Sequence, residues 1–174
     1  MKRIFIFFVW LIIFIHTAIF FLPKREIYFL AERILQEWKI AVNYEVPKDY
    51  GLLFSLKNPE FIYDKIPIAT VESADLFVSL FYSSLSVSPF TLSSSLSFLP
   101  PRVDSLRVRH TIFAPHVVYI DGAGAFGEFS GTINLLDRRA SILLQSPSEI
   151  QGRYPLLFRE MNKTQEGFVY ERAF

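Results

Sequence analysis

The chain contains no cysteine. That absence removes a disulfide framework, thiolate metal sites and cysteine nucleophiles together. A basic excess is also missing. The whole chain carries 18 Lys and Arg against 17 Asp and Glu. Because Lys2 and Arg3 lie at the extreme N-terminus, everything beyond them is slightly acidic, which excludes the electrostatic footprint of a nucleic-acid binder. No G-x-S-x-G elbow is present, and no helical pattern of 10–15 residues separates the strand-like runs of the second half.

What is present begins at the N-terminus. After Met1-Lys2-Arg3 the run IFIFFVWLIIFIHTAIFFL extends from Ile4 to Leu22 and is closed by Pro23-Lys24-Arg25-Glu26. A helix of this run is roughly 28 Å long, close to the ~30 Å hydrocarbon thickness of a bilayer. A cleaved signal peptide has a shorter apolar region and a small-x-small cleavage site, neither of which is found here. A buried soluble helix rarely presents aromatic and aliphatic residues on every face. His16 stands alone within the run, where a tolerated neutral imidazole is the simpler reading than a proton relay. The sequence therefore predicts a transmembrane anchor over residues 1–23.

Lys2 and Arg3 on one side nearly balance Lys24 and Arg25 on the other, so the positive-inside rule is close to neutral. A short N-terminal tail is easier to retain than a folded domain. The expected topology is single-pass in the inner (cytoplasmic) membrane, with a cytoplasmic N-terminus and a periplasmic or otherwise extracytoplasmic main domain. About 150 residues remain after the run, enough for one domain with a sizeable core.

Glu26 to Ala41 has the pattern of an amphipathic helix, with Ile27, Leu30, Ile34 and Trp38 on one stripe beside Ala31 and Leu35. The sequence assigns residues 24–41 to a helix packing that stripe on the domain that follows. The alternative, a helix lying on the membrane, has a polar face of mixed sign against it. Residues 42–174 form the third unit, a β-rich extracytoplasmic domain. Leu52, Phe54 and Leu56, then Leu76, Val78 and Leu80, then Leu106, Val108 and His110 recur at period two. Val117, Tyr119 and Asp121, followed by Ile142 and Leu144, continue it. Turn signals such as Asn58-Pro59, Ser88-Pro89, Pro100-Pro101 and Ser146-Pro147 separate the runs. Seven or so short strands imply a mainly β fold, an antiparallel sheet that is curved or sandwich-like. In the Ser-rich stretch from Ser83 to Phe98, Leu85, Val87, Leu92, Leu96 and Phe98 keep even spacing, the pattern of a half-buried strand. Arg153 to Phe174 is compatible with either a final strand or a docking tail.

Phe occurs 19 times, and many copies lie outside the apolar run. Phe77 and Phe81 oppose Leu76, Val78 and Leu80, so large apolar groups occupy both faces. Either a Phe-heavy sandwich interior or a concave apolar groove accounts for them. On the groove reading, Phe77, Phe81, Phe90, Phe98 and Trp38 are the expected lipid- or partner-contacting residues.

The chemical motifs are weaker. GAGAFG, Gly122 to Gly127, satisfies G-x-G-x-x-G, but EFSGTINLL after it has strand rather than helix periodicity, so no cofactor is expected. The glycines fit a tight turn and bulged strands instead. His110 and His116 are the only imidazoles outside the run. With Asp104 or Asp121 and one of many serines they could form a hydrolytic site, and as metal ligands they lack a third partner. Asn162-Lys163-Thr164 matches a glycosylation sequon, a pattern too short to use. The expectation is a protein with no catalytic residues, no cofactor and no metal.

The order of parts carries a resemblance. An apolar helix precedes AERILQEWKIAVNYE, followed by GLLFSLKNPEFIYDKIPIATVESADLFVSL and later GAFGEFSGTINLLDRRASILL. This resembles the envelope group containing AsmA-like proteins and type II secretion system protein N, over roughly residues 4–145. Members are usually longer, so this chain would be a reduced form. The resemblance implies a non-enzymatic periplasmic β-sheet on an inner-membrane anchor. Its apolar face would bind or pass lipid, or meet a secretion partner. The partners it implies are the bilayer, a lipid ligand and envelope or secretion complex subunits, without nucleic acid. A second, purely architectural resemblance is to the lipopolysaccharide export protein C, which has one anchor and a β-jellyroll. It implies a structural or scaffold role in an envelope complex.

Overall fold

A computed structural model describes residues 2–43, 47–96, 99–145 and 148–174. Helix α1 spans Lys2–Phe21, and none of its residues is buried. Only Ile15, His16 and Ile19 are partly covered. The helix ends where Pro23 follows. The Lys24 ammonium folds back and donates to the carbonyl oxygens of Ile19 and Leu22, at 3.0 and 3.3 Å. A cation at a helix C-terminus satisfies orphan carbonyls and complements the helix dipole. Lys24 is buried and lies 3.8 Å from Asp49.

Helix α2 (Lys24–Glu37) stops earlier than its apolar period implies. Lys39 adopts a left-handed φ of 62°, which turns the chain, so Ile40 and Ala41 belong to strand β1 (Ile40–Asn43) rather than to the helix. Tyr28 rests on Phe54 with ring centroids 5.6 Å apart. Ile27, Leu30, Ile34 and Trp38, the stripe that the sequence assigns to packing, are all exposed, Trp38 to 66%. The helix meets the sheet along an adjacent face, through Lys24, Tyr28 and Leu35.

The remaining strands are β2 (Lys48–Asp49), β3 (Leu53–Lys57), β4 (Glu60–Tyr63), β5 (Ile66–Val78) and β6 (Tyr82–Leu92). They continue as β7 (Arg102–Thr111), β8 (Val117–Gly124), β9 (Gly127–Asn134), β10 (Arg139–Gln145), β11 (Asn162–Lys163) and β12 (Phe168–Ala173). All twelve belong to one sheet in the order β1-β4-β5-β6-β7-β8-β9-β10-β12-β11, with β3 also pairing β5 and β2 pairing β3. Every pairing is antiparallel. The sheet is an open meander whose edge strands do not meet. A jellyroll, by contrast, packs two sheets face to face.

Tight hairpins follow from the turn residues. Asp64 and Lys65, both at positive φ (47° and 71°), link β4 to β5 with the backbone that two-residue hairpins require. Two short helices, α3 (Ser148–Arg153) and α4 (Pro155–Phe158), separate β10 from β11. The C-terminal segment includes a true strand, because β12 pairs along β10 from Arg139↔Ala173 to Leu144↔Phe168. The Ser-rich stretch departs from one continuous strand. β6 ends at Leu92, and Ser94–Leu96 forms a single 3-10 turn. The Ser95 amide meets the Ser93 hydroxyl there, and the Leu96 amide bonds the Ser93 carbonyl at 2.9 Å. Serine side chains compete with ladder bonds in this way.

Candidate functional site: an uncovered apolar sheet face

Side chains opposite one another in an antiparallel ladder share a face, so the register sorts the sheet into rows. One row crosses from β3 to β12 as Leu56, Ala74, Val87 and Leu106, then Gly122, Phe129, Leu144 and Phe168. The next row on the same face runs Phe54, Leu76, Leu85 and Val108, then Ile120, Gly131, Ile142 and Tyr170. Between them, on the reverse face, stand Ser55, Asp75, Ser86 and Arg107, then Asp121, Ser130, Leu143 and Val169. One face is apolar and the other predominantly polar.

The polar face is held by exposed pairs. Arg109 Nη2 donates to Asp121 Oδ1 at 2.5 Å. Exposed ion pairs of this kind stabilise by well under ~1 kcal/mol. On the other face, at the β12 margin, the Tyr170 hydroxyl, with Glu160 nearby, raises the titration of the exposed Arg172 guanidinium.

On the apolar face, Phe54, Leu144 and Phe168 are buried, whereas Leu76, Val87, Val108, Ile120 and Ile142 are only half-buried and Leu85 is exposed. Cover exists at two places. Tyr28 of α2 lies on Phe54. At the end of the sheet away from α1, Phe158 packs edge-on against Phe168 at 4.7 Å, Tyr154 just before α4 is buried, and the buried Pro100 lies with Leu144. Between these covers the face is a trough.

At the covered end lies a cavity of about 270 Å³ lined by Phe90, Leu92, Leu99, Pro100, Val103, Phe126, Phe129, Ile142, Leu144 and Met161. The lining side chains are all apolar. The volume lies near the lower limit of ligand pockets, ~300 Å³. Its lining residues Phe129, Ile142 and Leu144 also stand in the apolar rows of the face.

The cavity exists because of a line of irregular pairing. Val87 and Phe90 are three residues apart, so strict alternation would send Phe90 to the polar face. Yet Phe90 shares the cavity with Phe129 and Leu144. The register explains it. Between Ser73↔Ser88 and Val71↔Phe90, no pair joins Glu72 to Pro89, whose ring leaves it without an N–H. The β6–β7 pairs jump from Val87↔Leu106 to Phe90↔Val103, and β7 bulges against β8 between Val103 and Ser105. On the other side, Asn58 (φ 52°) and Pro59 separate β3 from β4 at the same level. Bulges re-aim side chains, and here they return Phe90 and Val103 to the apolar face.

Glycine shapes the floor. A Cβ at Gly122 would stand 2.4 Å from the Ser105 carbonyl oxygen and 2.5 Å from Phe129 Cζ. The missing side chain lets the Phe129 ring lie over β8. GAGAFG is thus a hairpin, β8–turn–β9, with Gly127 at φ 111°, and no helix follows it to receive a pyrophosphate.

The residues singled out by sequence do not converge. Phe90 lines the cavity. Phe77 stands on the polar face, with its ring 6.2 Å from that of Tyr82. Phe81 is at the β5–β6 tip, stacked with Phe113 at 6.3 Å. Trp38 ends α2, and Phe98 lies outside the described residues. Phe129, Ile142, Leu144 and Val103, which the sequence did not single out as a site, do most of the lining. Their one advance signal was even apolar spacing in strands of distant sequence.

The hydrolytic set is likewise dispersed. The His110 ring Nε2 donates to the Pro115 carbonyl at 3.0 Å. His110 opposes Val118 on the apolar face, whereas Asp121 opposes Arg107 on the polar face. Asp104 pairs with Arg102 at 2.8 Å. Among the described residues, no three His, Asp or Glu side chains cluster as metal ligands.

Comparison of the chain with protein-family models, with curated proteins and with solved structures found no match.

Proposed function

We propose that this is a non-enzymatic, single-span protein of a cell envelope that binds or passes lipid along the apolar face of its sheet. In this reading α1 anchors the chain in the inner membrane with its N-terminus cytoplasmic, and the sheet stands on the periplasmic side, in the manner of AsmA-like proteins. The observation that carries it is the trough. Eight strands present an apolar face that no second layer covers among the described residues, and it deepens into a 270 Å³ cavity. Contiguous apolar surface of this extent marks an interaction site on a soluble or periplasmic domain. An acyl chain matches its chemistry, since among the described residues no polar side chain lines the cavity to orient a headgroup.

The test is photo-crosslinking of the full chain in native membranes carrying diazirine-labelled phospholipid. Adducts are expected on β9 and β10 residues of the apolar face, Phe129 and Ile142 foremost, and not on Ser130 or Thr132. Equal labelling of the two faces, or none, would sink the lipid reading. Protein adducts at Phe129 in place of lipid would favour the alternative, a scaffold subunit of an envelope complex.

A further inference from the structure

At the end of the sheet where α1 arrives, the hairpin tips expose large apolar residues, beside the charged Asp137 and Arg138 of the β9–β10 turn. Tyr50 precedes β3, Phe81 sits between β5 and β6, and Ile112 and Phe113 lie between β7 and β8. Leu135 and Leu136 lie between β9 and β10, and Phe174 follows β12. All are exposed, Phe113 to 85% and Leu136 to 76%. Tips in water favour polar turn residues. At the opposite end Asp64-Lys65 and Ser94-Ser95 follow that rule, and the apolar Phe126 of the β8–β9 turn folds into the cavity rather than outward.

Several amides at these tips are satisfied from within. Asn134 Oδ1 accepts the amides of Leu136 and Asp137, at 3.0 and 3.2 Å. The Phe113 amide donates to Thr111 Oγ1, and the Ile112 amide to the Phe81 carbonyl. The Leu135 amide donates to the His116 carbonyl at 2.8 Å. Water would satisfy such groups without help, whereas hydrocarbon demands internal partners.

Helix α1 touches the same end. The His16 ring is 5.7 Å from that of Phe81, and Phe20 fills the space where a Cβ on Gly51 would stand. His16 precedes the end of α1 at Phe21 by roughly 8 Å of helix rise. The Phe81 tip, with Phe113 stacked on it, is therefore level with the last turns of the apolar helix, not beyond them.

We infer that this rim of hairpin tips dips into the same lipid leaflet as the end of α1, so that the trough opens directly onto the bilayer. Interfacial elements bury apolar groups about 5–10 Å below the headgroup boundary, which matches the offset between His16 and Phe21. The occupant is phospholipid rather than a protein partner, because the rim is continuous with the apolar surface of α1. The inference rests on the reading of α1 as a membrane span.

The absence of native cysteine makes the test direct. Single variants Phe113→Cys, Leu136→Cys, Trp10→Cys and Lys65→Cys of the full chain carry an environment-sensitive fluorophore. They are reconstituted into vesicles of equal parts phosphatidylethanolamine and phosphatidylglycerol. Nitroxide-labelled lipid should quench positions 113 and 136 several-fold more than position 65, approaching position 10. If position 10 is quenched while 113 and 136 match 65 and yield to aqueous iodide, the inference is overturned and the anchor stands. If position 10 is itself reached by iodide and not by lipid nitroxide, anchor and rim fail together.

Discussion

The two faces of the sheet are made by the same strands, in the same register, from residues that alternate one by one. Phe129 and Ser130, or Leu144 and Leu143, are chain neighbours with opposite fates. On the polar face, outside the buried Ser55, a substitution meets at least partial solvent. On the apolar face it meets either Phe168 and the α4 cover or the open trough. The difference teaches that function here is a property of one parity of residues. Adjacent pairs are therefore the sharpest probes.

The largest contrast is expected at β10. Leu144 is 2% exposed, and Leu144→Asp places a carboxylate there without a partner, a cost of about 4 kcal/mol or more. Ser130→Lys, on the reverse face of the neighbouring strand and opposite Asp121, should cost less than about 0.5 kcal/mol. Thermal unfolding of the detergent-solubilised proteins by circular dichroism compares them, and similar losses would break the distinction between faces.

Next comes Gly122→Ala, whose new Cβ meets a backbone oxygen that cannot swing aside. A loss of about 2 kcal/mol is expected, while Ala123→Val on the polar side should be near neutral. If Gly122→Ala melts like the parent, the close seating of Phe129 on β8 is wrong.

A smaller effect, on binding rather than folding, is expected from Ile142→Gln. A polar head in the trough should weaken uptake of a polarity-sensitive dye about tenfold, which corresponds to about 1.4 kcal/mol, whereas Thr132→Gln should leave it unchanged. Equal titrations for the two variants would remove the trough as the dye site. The smallest change belongs to Arg109→Ala. Loss of its exposed pair with Asp121 should lower stability by less than about 1 kcal/mol and leave dye binding intact. A drop of several degrees in melting temperature would show that the polar face carries structural weight.

Much of the architecture was legible. The run from Ile4 to Leu22 announces a helix of one length and one chemistry, and alternation along Leu76 to Leu80 or Phe129 to Leu135 announces strands. Register is less accessible. Period two says which residues share a face, but not which face is covered. Phe77 thus looked equivalent to Phe90, though the ladder puts it on the reverse face, between Leu53 and Ser84. Pro89 also re-phases β6, a change that no local count of alternation carries. The end of α2 was misplaced because the chain reverses at Lys39, where no glycine marks the left-handed turn. The cavity walls come from β6, β7, β9 and β10, whose meeting depends on pairings far apart in sequence.

The row of irregular pairs through Asn58-Pro59, Glu72, Pro89 and Ser105 has a mechanical consequence. A sheet resists bending across its strands through its rungs, and along this row other groups supply them. Ser73 Oγ donates to the Ser88 carbonyl at 2.9 Å, and Ser88 Oγ to the Asp104 carbonyl at 2.7 Å. The Asn58 amide reaches the Glu72 carbonyl, and the Val71 amide the Pro59 carbonyl. The seam is stitched rather than cut: it changes which residues face the cavity while the rows on either side keep their register.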